Sequence, residues 1–258
     1  VSTLGGAWLI SAGVNPDQIK VITFGAPAVG NFAFSEYAGH SLNLTRVINY
    51  GDPIPNFLLH IPGGYTQFGR EIAWETPDDL DSSPHQINVY LDSAIKRYYL
   101  ARQRALQADV IAIPNPDVAT VPDSPRVYIA SSENDLPADL QNEFGYMQDI
   151  LGDEYRDNIP AANFAAGSLP IADLLQRARE LNCQWAIVPE IYGYRVKDKE
   201  NEYYITLVQK IYQTSDGKLI HAASFGSNTS NLTPLEVFFH NTQNMRDDYL
   251  QWLHAKDS

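Results

Sequence analysis

The sequence predicts a protein of the α/β class, with a parallel sheet in its first half and a second, small α+β domain in its second half. In the first half, short β-branched segments alternate with helical ones, which is the pattern of a parallel sheet. In the second half, two strand-like segments are joined by Asp216-Gly217, a turn typical of an antiparallel hairpin. The two halves are therefore expected to have different architectures.

The elements of the first half follow from hydrophobic periodicity. Residues 19–24 and 46–50 are short apolar runs that contain Val and Ile, as expected of buried parallel strands. In chain order, we predict a helix over residues 4–12, strands over 19–24, 46–50 and 65–74, and a helix over 86–106. The residues expected on the inward face of this last helix are Val89, Ala94, Ile95 and Tyr98.

The elements of the second half follow from the same periodicity. Ile171, Leu174, Leu175, Ala178 and Leu181 recur at helical spacing and define one apolar face. In chain order, we predict a strand over residues 127–130, helices over 136–151 and 171–181, strands over 185–196, 203–213 and 219–225, and a helix over 234–254.

Composition excludes several classes of protein. The 258 residues carry a net charge of −13, which argues against a nucleic-acid surface because phosphate contacts need clustered Lys and Arg. No apolar run approaches the roughly 20 residues of a membrane helix. The single cysteine, Cys183, excludes internal disulfides and a cysteine-ligated zinc site. The six histidines lack the paired helical spacing of metal ligands, so we expect no metal site.

A proline-rich segment divides the chain. Residues 109–125 contain four prolines within a dozen positions and have no helical period, as expected of an extended linker. We therefore predict one domain over residues 1–108 and another over residues 126–258, the latter with the α+β pattern.

Two residues of the first domain are candidates for catalysis. Asp52 follows a predicted strand and lies between Gly51 and Pro53, where it is either a functional carboxylate or a turn residue with its own backbone hydrogen bond. His85 precedes the long helix and, taken alone, is a loop residue. Paired with an acid at a strand end, it would instead be a general base that Asp52 orients.

Residues 21–31 (VITFGAPAVGN), 46–55 (RVINYGDPIP) and 68–74 (FGREIAW) resemble the class 3 lipase family of α/β-hydrolases. The resemblance covers about residues 1–105. It implies a partial α/β-hydrolase whose N-terminal strands are missing from this chain, with Asp52 and His85 completing a Ser-Asp-His triad. It also implies a lipid or small ester as substrate, no cofactor, and action outside the cytoplasm.

The nucleophile of this triad has two possible positions. The family carries its serine in a Gly-His-Ser-Leu-Gly-Gly segment, and Leu4-Gly5-Gly6 aligns with it so that Thr3 takes the place of the serine. The methyl group of Thr3 would crowd the strained turn of such a nucleophile. Thr3 also precedes Phe24 by 21 residues, whereas the family leaves roughly 28. We therefore favour a serine before Val1, in a missing N-terminal segment of the same protein.

Residues 174–181 and 183–191, together with the Asp216-Gly217 hairpin, faintly resemble CsgG-like envelope modules, which are assembly or binding proteins. The tyrosines of this second domain are expected either to line a binding face or to form ordinary core and cross-strand pairs; they are Tyr192, Tyr194, Tyr203, Tyr204 and Tyr212. Cys183 is most simply a small buried apolar residue. The rival to ester hydrolysis is thus a non-catalytic envelope or secreted binding protein on a degenerate hydrolase scaffold.

Overall fold

A computed structural model describes residues 1–62, 64–76, 83–113, 126–159, 161–199 and 201–256. The chain forms two compact units, Val1–Ala94 and Ile95–Ser258, whose boundary falls within a long helix. The domain limits at residues 108 and 126 remain a prediction, and residues 114–125 of the predicted linker lie outside the described residues.

Helices and strands are mixed along the chain, consistent with the predicted α/β class. The helices are α1 Ser2–Ser11, α2 Phe32–Gly39, α3 Ile54–Phe57, α4 Ile87–Gln107, α5 Phe144–Asn158, α6 Ile171–Glu180 and α7 Pro234–Lys256. The strands are β1 Lys20–Phe24, β2 Asn43–Asn49, β3 Arg70–Trp74, β4 Val127–Ile129, β5 Glu133–Asp135, β6 Ala162–Phe164, β7 Trp185–Arg195, β8 Tyr203–Gln213 and β9 Leu219–Asn228. None of the described helices is both long and apolar enough to cross a membrane.

The first unit contains a three-stranded parallel sheet in the order β1-β2-β3. The β-branched residues of β1 and β2 alternate between buried and more exposed positions, and Val21 pairs with Leu44 in register. Helix α1 packs over this pair at Gly6, where a Cβ would lie 2.7 Å from Cγ2 of Val21. The carboxyl ends of the three parallel strands lie at one edge of the sheet, so the loops that follow them meet there.

Helix α1 offers a matched pair of glycine substitutions. Gly6→Ala is expected to destabilise the first unit by about 1–3 kcal/mol, because its methyl group would overlap Val21 and Leu42. Gly5→Ala meets nothing within 4 Å and is expected to stabilise the same helix by about 0.5–1 kcal/mol. Hydrogen exchange of the β1 and β2 amides measures both free energies of opening. Equal effects of the two substitutions would contradict the packing of α1 on β1.

The second unit contains a six-stranded mixed sheet in the order β6-β4-β7-β8-β9, with β5 paired to β7. The pairs β4–β6, β4–β7 and β5–β7 are parallel, whereas the pairs β7–β8 and β8–β9 are antiparallel. Helices α5 and α7 pack into the larger core cluster with Ile129, Ile187 and Leu207, while α6 packs with Tyr128 and Val188. Because neighbouring residues of a strand face opposite ways, α5 and α7 cover one face of the sheet and α6 the other.

Some predicted elements differ from the structure. Tyr98, expected to face inward, is 59% exposed, and the buried residue at this turn of α4 is Tyr99. The helix predicted over residues 136–151 is instead a 3-10 turn followed by α5. The predicted hairpin turn between β8 and β9 is present, with a φ of +73° at Gly217.

Candidate active site

Asp52 lies just beyond β2, where the chain turns into the short helix α3. The preceding Gly51 has a φ of +82°, a backbone conformation that glycine adopts without strain. The Asp52 side chain is fully buried, and the backbone N–H of Ile54 donates to its Oδ1 over 2.9 Å. The turn hydrogen bond that sequence reasoning offered as an alternative is therefore present.

His85 lies two residues before α4, and the fold brings it against Asp52. Its Nδ1 lies 3.0 Å from Oδ2 and 3.1 Å from Oδ1 of the carboxylate. The imidazole remains 44% exposed, and its Nε2 forms no hydrogen bond with the described residues. The two residues predicted from sequence are thus adjacent, with one ring nitrogen engaged and the other open.

Two further residues fix this pair. Tyr90, in the first turn of α4, donates from its hydroxyl to Oδ2 of Asp52 over 2.7 Å and accepts the N–H of Asn49 over 2.9 Å. Asn49 also donates from its side chain to the carbonyl of Pro84, the residue before His85, over 3.0 Å. Burial, reinforced by Asp52 and opposed by the Asn49 hydrogen bond, raises the pKa of Tyr90 well above its ordinary value. The hydroxyl therefore keeps its proton and remains a donor to the carboxylate.

The loop after β1 lies directly against the pair. A Cβ at Gly25 would be 2.7 Å from Oδ2 of Asp52 and 3.1 Å from Nδ1 of His85, and the φ of Gly25 is +58°. Gln67 donates to the carbonyls of Ala26 and Pro55, over 3.2 and 2.9 Å. These bonds join the loops that follow β1 and β2, so both are held around the carboxylate.

This arrangement has the chemistry of a general base. Asp52 accepts from Nδ1–H of His85, so the lone pair of the neutral ring is on Nε2, the exposed nitrogen. A proton that Nε2 takes up makes an imidazolium that the buried carboxylate stabilises. The pair can therefore remove a proton from a hydroxyl group and later return it.

A nucleophile is not joined to this base within the described residues. No hydroxyl or thiol among them forms a hydrogen bond with Nε2 of His85. Thr3 is buried in the first turn of α1, and no hydrogen bond links it to His85. Its position leaves both alternatives open, Thr3 itself or a serine before Val1. Gly6, which belongs to the segment aligned with the family's serine motif, has a packing role: its lack of a side chain allows α1 to approach β1.

The tyrosines of the second unit divide between the two faces of its sheet. Tyr203 is buried with the core and donates to Asp139, so it is not part of an open face. Tyr194 and Tyr204 stack with their ring centroids 5.5 Å apart, and Tyr192 donates to Glu190. Tyr212 packs beside α6. Their use as a binding face remains a prediction.

The structure also places Cys183 and allows a search for groups of metal-binding side chains. Cys183 is buried as expected, and burial raises the pKa of its thiol, so the thiolate is disfavoured. No group of three or more His, Cys, Asp or Glu side chains suited to a metal ion occurs in the described part of the chain.

Sequence reasoning identified Asp52 and His85 but gave no role to Tyr90, Asn49 or Gly25. The available signals were weak: Tyr90 lies five positions after His85, and Gly25 follows a strand. Neither spacing reveals a hydrogen bond to a carboxylate. The fold brings these groups together by placing Tyr90, in the first turn of α4, against the ends of β1 and β2.

Comparison with known families gives one match. The sequence model described as Lipase (class 3) matches residues 1–61. The matched range contains Asp52 but ends before His85. It supports a lipase-like hydrolase at the level of the family. No curated protein matches the chain significantly.

Solved structures of low similarity include a PelC dodecamer from Paraburkholderia phytofirmans, with 14% identity, a TM-score of 0.37, and coverage of 46% of this chain and 84% of that chain. Lipoprotein GNA1162 from Neisseria meningitidis has 10% identity and a TM-score of 0.34, covering 48% and 96%. A DUF330 protein from Xanthomonas campestris has 12% identity and a TM-score of 0.33, covering 57% and 94%. These neighbours are not clearly CsgG-like, and their low TM-scores carry no argument about function.

Proposed function

We propose that the protein is a serine-hydrolase-type carboxylic ester hydrolase, similar to class 3 lipases, whose acid and base are Asp52 and His85. The observation that carries this proposal is the 3.0 Å contact between Nδ1 of His85 and the buried Asp52 carboxylate, with Nε2 open to solvent. The family match over residues 1–61 supports the same reaction class.

In the proposed reaction, His85 removes the proton of a nucleophilic hydroxyl as that hydroxyl attacks the ester carbonyl. The imidazolium then protonates the departing alcohol. In the second half of the reaction, His85 activates water, which releases the acid from the acyl-enzyme. Asp52 holds the ring in the required tautomer throughout and stabilises its positive charge.

The substrate is proposed to be a lipid or a small neutral ester, and the site of action to be outside the cytoplasm. An uncharged ester is compatible with the net charge of −13, because it is not repelled by an acidic protein. The nucleophile is proposed to be a serine before Val1, with Thr3 as the alternative.

Covalent labelling tests the reaction class and locates the nucleophile together. The longest polypeptide that the gene encodes is incubated with a fluorophosphonate, digested, and analysed by mass spectrometry, while hydrolysis of nitrophenyl butyrate is followed in parallel. We expect one labelled hydroxyl residue and ester hydrolysis, because a fluorophosphonate traps a hydroxyl that a histidine activates.

The control separates activation by His85 from adventitious reaction. His85→Ala is expected to remove the label, whereas His60→Ala, at an exposed histidine, is expected to retain it. A label on Thr3 would identify Thr3, and not a serine before Val1, as the nucleophile. A folded protein that neither hydrolyses the ester nor takes up label would favour the rival, a non-catalytic envelope or secreted binding protein.

A further inference from the structure

In the sheet of the second unit, the direction in which successive strands are added reverses at β4. From β4 the chain passes through α5 to β6 on one side of β4, and then through α6 to β7 on the other side. Helices α5 and α6 lie on opposite faces of the sheet. In open α/β sheets, such a reversal leaves a crevice outside the carboxyl ends of the strands, and ligands bind there.

A cavity of about 160 Å³ occupies this crevice. It extends from the carboxyl ends of β4 and β6 to α5, and Leu151 and Phe164 belong to its apolar wall. The polar residues that line it are Ser131, Ser132, Gln148, Tyr155 and Arg156. No carboxylate side chain is among the residues that line it, although the protein as a whole is strongly acidic.

The cation of this cavity has unused hydrogen-bond donors. Arg156 donates from Nη1 to Asp153 over 3.0 Å, and its guanidinium lies 4.7 Å from the centre of the Phe164 ring. Asp153 is shared with Arg102, whose Nη1 lies 2.7 Å away. Nε and Nη2 of Arg156 form no hydrogen bond with the described residues, so they are available to an acceptor in the cavity.

A glycine makes room for this guanidinium. Gly152 lies inside α5, where glycine is unfavourable in a helix, and a Cβ there would lie 3.1 Å from Nη1 of Arg156. The absence of a side chain thus lets Arg156 fold back along its own helix toward Phe164. Helix α5 therefore has a residue of low helix propensity at the position against which the Arg156 guanidinium lies.

We propose that this cavity binds a small organic anion, a carboxylate with an apolar body. Its carboxylate accepts from the free donors of Arg156 and from the Ser131 and Ser132 hydroxyls, and its body contacts Leu151 and Phe164. A dry cavity of about 150 Å³ accommodates benzene, so a body of about six carbon atoms fits. The site belongs to the second unit and does not depend on the ester hydrolase proposal.

Calorimetric titration of the intact protein with benzoate and hexanoate tests this site. We expect saturable binding of at least one of them, and no saturable binding of benzyl alcohol, which lacks the charge, or of acetate, which lacks the apolar body. Arg156→Gln is expected to weaken binding about tenfold or more, since it removes a charge-assisted hydrogen bond. Gly152→Ala is expected to weaken it as well, by displacing the guanidinium.

Two controls keep the result specific. Arg177→Gln, on the exposed face of α6, and His85→Ala are expected to leave benzoate binding unchanged, which separates this site from the candidate active site. Absence of saturable binding of both carboxylates at millimolar concentration, or binding insensitive to Arg156→Gln, would overturn the proposal. If Arg156→Gln unfolds, benzoate must shift the amide resonances of Ser131 and Gly152 in the unaltered protein while benzyl alcohol does not; equal shifts would overturn it.

Discussion

Asparagine in place of Asp52 is expected to lower kcat for ester hydrolysis about 10⁴-fold without unfolding the protein. Ile54 N–H donates to Oδ1, so the asparagine oxygen stays at that position and its NH₂ group takes the place of Oδ2. That group would then face Nδ1 of His85, 3.0 Å away, as a donor. The ring would have to carry its proton on Nε2, the nitrogen that must accept one, and the imidazolium would lose its counter-charge.

The measurement is kcat for nitrophenyl butyrate, with fluorophosphonate labelling as a second readout. Asp17→Asn, the same change at an exposed position, is the control and should leave kcat unchanged. Far-ultraviolet circular dichroism establishes that both variants fold. If Asp52→Asn kept more than about a tenth of the activity, which corresponds to 1.4 kcal/mol or less, Asp52 would be a turn residue and not the triad acid.

The surroundings of Asp52 bear on the same question. A turn carboxylate needs only the Ile54 N–H, and the Tyr90 hydroxyl already gives the buried group a second donor. His85 adds a third donor although its ring is 44% exposed and has water as an alternative partner. Asn49 donates its side-chain N–H to the carbonyl of Pro84 and so holds the segment before His85. A merely structural turn does not require that the histidine be positioned, whereas a general base does.

The parts of the fold that could be predicted from sequence are those with a strong local pattern. Strand β8 begins and ends at the predicted residues because the first ten of its eleven positions alternate between buried and less buried side chains. Strands β5 and β6 were missed since each has three residues, and Glu133-Asn134-Asp135 is polar throughout. They are strands because β5 pairs with the long strand β7 and β6 pairs with β4.

The site was partly predictable for a related reason. Asp52 follows a parallel strand, and strand ends at one edge of a sheet bring loops together, so a partner from a later loop could be foreseen. The face of α4 that meets these loops could not be foreseen. Tyr98, which was predicted to lie on the inward face of this helix, is exposed. The Arg156 cavity depends on α5 and α6 lying on opposite faces of a sheet, which no local pattern in either helix encodes.

Alanine in place of Gly25 is expected to disrupt both the pair and the first unit. The residue would have to adopt a φ of +58°, which costs about 1–2 kcal/mol for a residue with a Cβ. Its methyl group would also overlap Oδ2 of Asp52 and Nδ1 of His85, adding about 1–3 kcal/mol of packing strain. A displacement of the pair by about 1 Å lowers catalysis about 100-fold, so we expect at least that loss of kcat.

Gly64→Ala separates the two causes. Gly64 has a φ of +70°, but a Cβ there meets nothing within 4 Å, so this variant carries the backbone strain without the overlap. Hydrogen exchange of the β1 and β2 amides should therefore show a larger loss of local stability for Gly25→Ala, and only Gly25→Ala should lose activity. If both variants retained full kcat, the loop after β1 would be able to yield, and the close contact of Gly25 with Asp52 and His85 would have no part in fixing their geometry.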